Sequence, residues 1–316
     1  MDSFCFGVDV GGTTVKIGLF DRDGKLLDKW EIPTDLSDSG KNILPDIAES
    51  LLKKMDEKGI TKEAVFGVGI GVPGPVTPDG TVVKGTNLGW GVFNVKEALH
   101  DLTGIECFAT NDANAAALGE MRMGGGKGLS SGVFITLGTG VGGGIIVDGK
   151  VRNGARGGCG EIGHICVNPD ETEICGCGGH GHLEQYASAT GLVRLAVKRL
   201  EESDEETSLR GYEKLTAKDV FDEAKKGDKV ADELVETMCR YLGMALSGVG
   251  AALDPDGYVI GGGVSRAGTI ITDRVKKYLD NHIGVLRGRD VMLATLGNDA
   301  GICGAAALCL FDLQGR

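Results

Sequence analysis

The densest group of metal-ligating side chains lies between Gly160 and Tyr186, where GEIGH at 160–164 is followed by CGCGGHGHLEQY at 175–186. This stretch holds three of the five histidines, His164, His180 and His182, together with Cys175, Cys177 and the carboxylates of Glu161 and Glu184. A single glycine separates the two cysteines and lets both thiolates turn toward one point. His164, Cys175, Cys177 and His182 form an N2S2 set of the kind tetrahedral zinc prefers, with His180 as an alternative to His182. Four protein donors leave no position open for a water, so the metal is expected to be structural. It would stiffen a loop whose glycines at 176, 178, 179 and 181 leave little apolar surface to hold it. The competing reading is a flexible loop with free thiols and solvated histidines.

A second chemistry is suggested by glycine turns at strand ends. The β-rich run Phe4 to Val10 breaks at Gly11-Gly12-Thr13-Thr14 and resumes from Val15 to Phe20, up to a turn at Asp21 to Gly24. Such a turn presents backbone N–H groups and threonine hydroxyls to phosphate oxygens, and Asp9 at the strand end could hold Mg2+ through water. A plain tight turn needs no ligand, so this hairpin alone is a weak signal. The layout returns downstream: Val133 to Leu137, then Gly138-Thr139-Gly140 within a glycine-rich turn reaching Gly144, then Ile145 to Val147 and the hairpin pair Asp148-Gly149. The chain therefore reads as two related halves, whose facing glycine hairpins would clamp a nucleotide's phosphates from the two sides of a cleft. A third turn, Gly261-Gly262-Gly263 followed by Val264-Ser265, is a seat for adenine or ribose approached by bare backbone. Between these, the strand Ile105 to Thr110 delivers Asn111 and Asp112 to its carboxyl end, just before an alanine-rich helix. Asp112 there either caps the helix or, beside a phosphate site and a substrate hydroxyl, serves as a general base.

The elements that must position these groups alternate. Leu44, Ile47, Leu51 and Met55 recur at helical spacing in 41–58, with Gly59 as the stop, and Val65 to Val72 is a buried strand ending at Pro73-Gly74-Pro75. Asn94 caps a helix over 94–102, Gly124 to Lys127 reads as an interdomain linker, and Leu192 to Leu200 is helical. Thr216 and Asp219 form a capping box ahead of a helix to Lys226, and Lys229 to Leu253 is a long apolar-faced helix. Val291 to Leu296 is the last strand, and Ala300 to Phe311 a small-residue helix suited to close packing. This alternation predicts an α/β architecture with mostly covered sheets. With 316 residues and 41% apolar content the chain suits two domains. A net charge of -12 without clustered Lys and Arg argues against nucleic acid as a partner. Nine scattered cysteines, an odd number, fit a reduced cytoplasmic protein, and no apolar run approaches a membrane span.

Taken in order, DVGGTT at 9–14, VPGPV at 72–76, NLGW at 87–90, NDANAAALGE at 111–120, LGTGVGGG at 137–144, GEIGH at 160–164, CGCGG at 175–179, LEQYASATG at 183–191 and LGNDAG at 296–301 cover essentially the whole chain. This set resembles the ROK family of sugar kinases and related repressors, and within it the bacterial ATP-dependent glucokinases. The resemblance implies a two-domain actin-like ATPase (ribonuclease H-like) fold with a ligand cleft between domains. The first domain would be 1–122, with the helix of 300–316 returning to it, and the second 123–299, with the zinc loop and nucleotide site. It implies ATP and Mg2+ as cofactors, a structural Zn2+, a homodimer, and transfer of a phosphoryl group to the 6-hydroxyl of glucose. Asp112 would be the base, with Asn87, Asn111, Glu161, His164 and Glu184 on the sugar hydroxyls. His164 would place one ring nitrogen on zinc and the other toward the sugar. The family's metal loop usually has cysteine where this chain has His182, which removes one negative charge and would weaken zinc binding. The alternatives are a kinase for another hexose or N-acetylhexosamine (N-acetylmannosamine, fructose, allose), or a sugar-sensing repressor. Such repressors carry an added N-terminal helix-turn-helix, whereas here the first strand begins by Phe4 and the charge is acidic.

Overall fold

The computed structural model describes residues 3–83, 88–284 and 287–314. In chain order it runs β1 (Phe4–Val10), β2 (Thr14–Asp21), β3 (Leu26–Pro33), α1 (Ile43–Lys58), β4 (Val65–Val72), β5 (Thr81–Val82), β6 (Phe93–Asn94), α2 (Val95–Thr103), β7 (Cys107–Asn111) and α3 (Asp112–Met123). It continues with β8 (Gly132–Leu137), β9 (Val141–Val147), β10 (Lys150–Val151), α4 (Glu184–Ala187), α5 (Ala189–Glu202), α6 (Ala217–Lys225) and α7 (Lys229–Leu253). β11 (Gly257–Gly261), α8 (Thr269–Ile283), β12 (Asp290–Leu293) and α9 (Ala300–Gln314) complete it. No described helix is long and apolar enough to cross a membrane.

One five-stranded sheet has the order β3-β2-β1-β4-β7 and the other β10-β9-β8-β11-β12. Numbered within each half, both are 3-2-1-4-5, so the doubling legible in the glycine turns extends to the whole sheet. β2 with β3 and β9 with β10 lie antiparallel, and in each sheet the later strands join in parallel: β1 with β4 and β4 with β7, β8 with β11 and β11 with β12. The second hairpin closes through Asp148 and Gly149 at φ 52° and 71°, the left-handed pair a two-residue turn requires.

The chain divides into two compact units, Met1–Ser130 with Gly144–Gly160 and Leu296–Arg316, and Ser131–Gly143 with Glu161–Thr295. In the first, α1 buries Ile43, Leu44, Ile47, Leu51 and Met55 against the sheet and stops at Gly59, whose φ of 64° ends the helix in the left-handed region. The other sheet face is covered by α9, which packs on β1, β4 and α3. That contact is backbone to backbone: a Cβ at Gly69 would lie 1.7 Å from the Ala305 carbonyl oxygen, and one at Gly304 1.5 Å from that of Ala115. The second unit has its own core, in which α7 buries Leu234, Val235, Met238, Leu242 and Leu246 beside Tyr258 and Ile260 of β11.

The division differs from the one expected at 122/123. It falls at 130/131, and 144–160 belong to the first unit. Three hydrogen bonds explain this. Asn153 Oδ1 accepts from Thr110 Oγ1 and from Asn114 Nδ2, each at 3.1 Å, and Arg122 donates to the Gly149 carbonyl at 2.7 Å. Nor is 124–127 a linker: the Glu120 carboxylate accepts from Gly125 N at 2.9 Å and from Leu296 N at 2.8 Å, folding the segment back on α3.

Candidate active site and metal loop

In the first unit, β1 carries Asp9 opposite Lys16 of β2. Burial pushes the Asp9 carboxyl up to about 6; Lys16 opposes this and the charge of Asp112 adds to it. The turn after β1 is closed by Gly11 N donating to Thr14 O at 3.0 Å. It is pinned from the end of β3 by Thr34, whose hydroxyl donates to Gly11 O at 2.7 Å and whose N–H donates to Thr13 O at 3.0 Å. Gly12 and Thr13 are exposed at its tip. Thr34 escaped the sequence reading because β3 was not read as a strand.

β7 ends at Asn111, and this residue caps α3: its Oδ1 accepts from Asn114 N at 2.9 Å. Asp112 occupies the first helical position. Its Oδ1 accepts from Asn111 Nδ2 at 2.9 Å and from Ala113 N at 2.8 Å, so the carboxylate is oriented at a helix N-terminus, where its charge is favoured. Asn87, expected to act with these two, lies outside the described residues.

In the second unit, the turn after β8 is closed by Gly138 N donating to Gly140 O at 3.0 Å. The start of α5 fastens it, through Ala189 N to Gly138 O at 2.8 Å and Thr190 Oγ1 to Thr139 O at 2.5 Å. A cavity of about 570 Å³ opens beside it. Gly138, Thr139 and Gly263 line it, with Thr216, Lys218, Phe221, Asp222 and Lys225 from α6 and its cap, and Val264 and Arg266 beyond the third turn. The α6 residues and Arg266 were not anticipated: the capping box marks the helix but says nothing of what its side chains face. Gly261 and Gly262, expected at the nucleotide, do not line the cavity. A Cβ on Gly262, just past β11, would lie 2.4 Å from the Leu137 carbonyl oxygen, and one on Gly261 3.0 Å from Phe134 and Ala294, so backbone packing excludes a side chain at Gly262 and leaves little room for one at Gly261.

Between 161 and 186 the chain has little regular structure, and isolated bridges pair Cys166 with His182 and Ile174 with His180. These bring His164, Cys175, Cys177 and His182 together, with one ligand atom of each within 4.8 Å of all the others; His180 is not in this group. Cys177 Sγ lies 3.1 Å from His182 Nδ1, and the His164 and His182 rings are 5.4 Å apart. Tetrahedral zinc holds neighbouring ligand atoms about 3.3–3.8 Å apart, so small side-chain movements suffice to close the set. Three of the candidate sugar-binding residues, Glu161, His164 and Glu184, lie on this stretch. Glu161 Oε2 is 3.8 Å from His164 Nε2. Glu184 joins loop and turn: its Oε2 accepts from Val141 N at 3.0 Å, and its Oε1 lies 3.9 Å from Cys175 Sγ.

The family described as ROK matches residues 5–311. The chain belongs to the ROK family. It is 42% identical over 313 residues to a glucokinase of Halalkalibacterium halodurans, covering 97% of this chain and 95% of that one. Among solved structures it is similar to a ROK family glucokinase from Streptomyces griseus in complex with glucose and AMPPNP, at 35% identity, 97% and 99% coverage and a TM-score of 0.74. It is also similar to a ROK hexokinase from Thermus thermophilus, at 31% identity, full coverage of both chains and a TM-score of 0.80. ROK sugar kinases have the actin-like ATPase fold, and the two matching five-stranded sheets are its duplicated core here.

Proposed function

We propose that this ROK protein transfers the γ-phosphoryl group of ATP to the 6-hydroxyl of glucose, with Asp112 accepting the hydroxyl proton. The observation that carries this is the capping of α3 by Asn111, which leaves the Asp112 carboxylate set by two donors on one oxygen instead of serving as the cap. Likeness to the glucokinases supports glucose and ATP as the substrates. Asn111, Glu161, His164 and Glu184, with Asn87, bind the sugar hydroxyls. The turns at Gly11–Thr14 and Gly138–Gly140 present N–H groups to phosphate, and the cavity beside Gly263 and Arg266 takes the nucleoside. Phosphoryl transfer asks mainly for such positioning and charge stabilisation.

Asp9 would hold Mg2+, which when bound offsets phosphate charge. The fit lies in the electrostatics, since burial and the charge of Asp112 both work against an ionised Asp9 and a dication answers both. His164, Cys175, Cys177 and His182 would hold a structural zinc, and elemental analysis of protein purified without chelator is expected to give about one zinc per chain. Finding none would remove that assignment.

Asp112→Asn is the decisive test. Glucose binding is expected to stay near wild type while turnover falls by about 10²–10⁴ in a coupled assay. Near-normal turnover would take the role from Asp112. A panel of glucose, fructose, allose and N-acetylmannosamine in the same assay tests the sugar, since a single hydroxyl or N-acetyl group is read by loop shape. The homodimer is tested by light scattering.

A further inference from the structure

The metal loop has a second fastening that uses none of the side chains of the four candidate zinc ligands. Arg194 of α5 donates to Glu171 Oε2 at 3.0 Å and to the Gln185 carbonyl at 3.1 Å, and forms an ion pair with Glu173 at 2.8 Å. Glu171 Oε2 also accepts from Tyr186 Oη at 2.6 Å, and Asn168 Nδ2 donates to that hydroxyl at 2.8 Å. Gln185 spans the loop: its Nε2 donates to the Glu173 carbonyl at 2.9 Å, and its Oε1 accepts from His182 N at 3.1 Å. One guanidinium thus ties the segment that leads into Cys175 to the segment that carries His182 and Glu184. Bidentate and multi-partner use of this kind suits arginine, whose rigid fork of donors reaches several acceptors at once.

We infer that Arg194 is a positioning residue for the metal loop, holding residues 171–185 in the shape that His182 needs toward zinc and Glu184 needs toward the sugar. The inference rests on the zinc and sugar roles proposed above. It makes the fastening double. Zinc closes the loop at its tip, and the Arg194–Glu171–Gln185 lock closes it at its base. Departure of the metal would free the tip while the base stays folded. Arg199, one turn further along α5, pairs instead with Glu205 and Glu233 and serves as the control.

The experiment compares wild type, Arg194→Ala, Arg194→Lys and Arg199→Ala as full-length protein. It reads zinc transfer to a chromogenic chelator, KM for glucose and for ATP, and amide hydrogen exchange of residues 166–183. Loss of a residue that orients metal ligands typically costs about 10- to 100-fold in affinity or activity. Arg194→Ala is therefore expected to release zinc about tenfold faster or more and to raise KM for glucose about tenfold. KM for ATP and kcat should stay within about twofold. Arg194→Lys, with a point charge able to satisfy one acceptor at a time, should fall between, and Arg199→Ala should match wild type. The lock is overturned if Arg194→Ala leaves zinc release and glucose KM within about twofold of wild type, or raises both KM values alike. If Arg194→Ala does not fold, unchanged zinc release and glucose KM in Arg194→Lys overturn it. Should the wild-type protein hold no zinc or phosphorylate no sugar, the functional proposal fails but the lock does not. Exchange at 166–183 in metal-free protein then decides it, faster in Arg194→Ala supporting it and unchanged exchange overturning it.

Discussion

The two halves of the chain place a glycine turn at the same point of the same sheet order, yet the turns carry different charge. Two residues before the first turn glycine stands Asp9; two residues before Gly138 stands Thr136. In the first half the carboxylate belongs to the strand itself, and burial drives its carboxyl to about 6. In the second the strand is neutral, and the carboxylate near the turn comes from Glu184, already engaged by Val141 N. The duplicated part is therefore the backbone, which brings N–H groups to a strand end, whereas the charge is particular to each half, as the proposed cation at the first turn and phosphate at the second would ask. A turn that shares its ligand with a cation needs an anion of its own. One that meets phosphate directly is better without one.

Removing the charge of the first turn should break the comparison most visibly. Asp9→Asn is expected to lower kcat by ~10²-fold, the scale of charge stabilisation a bound dication supplies, in an assay at saturating Mg2+. The same change should stabilise the ligand-free protein. Asp9 has a folded pKa of about 6 against an ordinary 3.8, so the folded state binds its proton more tightly. The stability this lends is complete below pH 4 and lost as pH rises through 6, leaving an unfavourable buried charge of about 2–3 kcal/mol at pH 8. Thermal unfolding should thus show Asp9→Asn several degrees above wild type at pH 8 and level with it at pH 4. An equal Tm at both pH values would mean that Asp9 is well solvated and the charge asymmetry carries no cost.

Much of the fold was legible because the chain punctuates itself. β1, β4 and α7 have the bounds read from their apolar runs and stops, and Asn94 and Thr216 cap helices as their spacing implied. The duplication was visible in its turns, since Gly-rich loops and an Asp-Gly hairpin need particular residues. β3 was missed because LLDKWEIP alternates half-buried and exposed positions on a charged edge strand, a weak signal beside the continuous runs of β1 and β4. What escaped entirely was long-range. The return of 144–160 to the first unit rests on Asn153 meeting Thr110 and Asn114, and the cavity wall rests on which way α6 turns its polar face. Periodicity reports which side of a helix is buried, not what the other side looks at. At the site, residue types and spacing brought out the four candidate metal-loop ligands now found together, while Gly261 and Gly262 have a packing reason of their own, because packing and ligand approach demand the same residue.

The smaller effects come from the turn glycines and sharpen the comparison at the level of a single methyl group. A Cβ at Gly140 would lie 2.1 Å from Glu184 Oε2, whereas one at Gly12 would meet nothing within 4 Å. The obstacle at Gly140 is the end of a flexible side chain, so Gly140→Ala should fold with Glu184 pushed off Val141 N, a loss of ~1–3 kcal/mol for a hydrogen bond to a charged group. Because Glu184 also reaches toward the metal loop, KM for glucose and for ATP should rise together, by roughly tenfold. Gly12→Ala should change stability by less than ~0.5 kcal/mol, as an exposed substitution into open space does. Its methyl would lie only where phosphate is expected, so it should raise KM for ATP alone, by a few-fold. Denaturant unfolding and initial-rate kinetics on the two variants separate these outcomes. If Gly12→Ala raised KM for glucose as strongly as Gly140→Ala, the first turn would be reading the sugar and not the phosphate, and the division of labour between the two halves would have to be reversed.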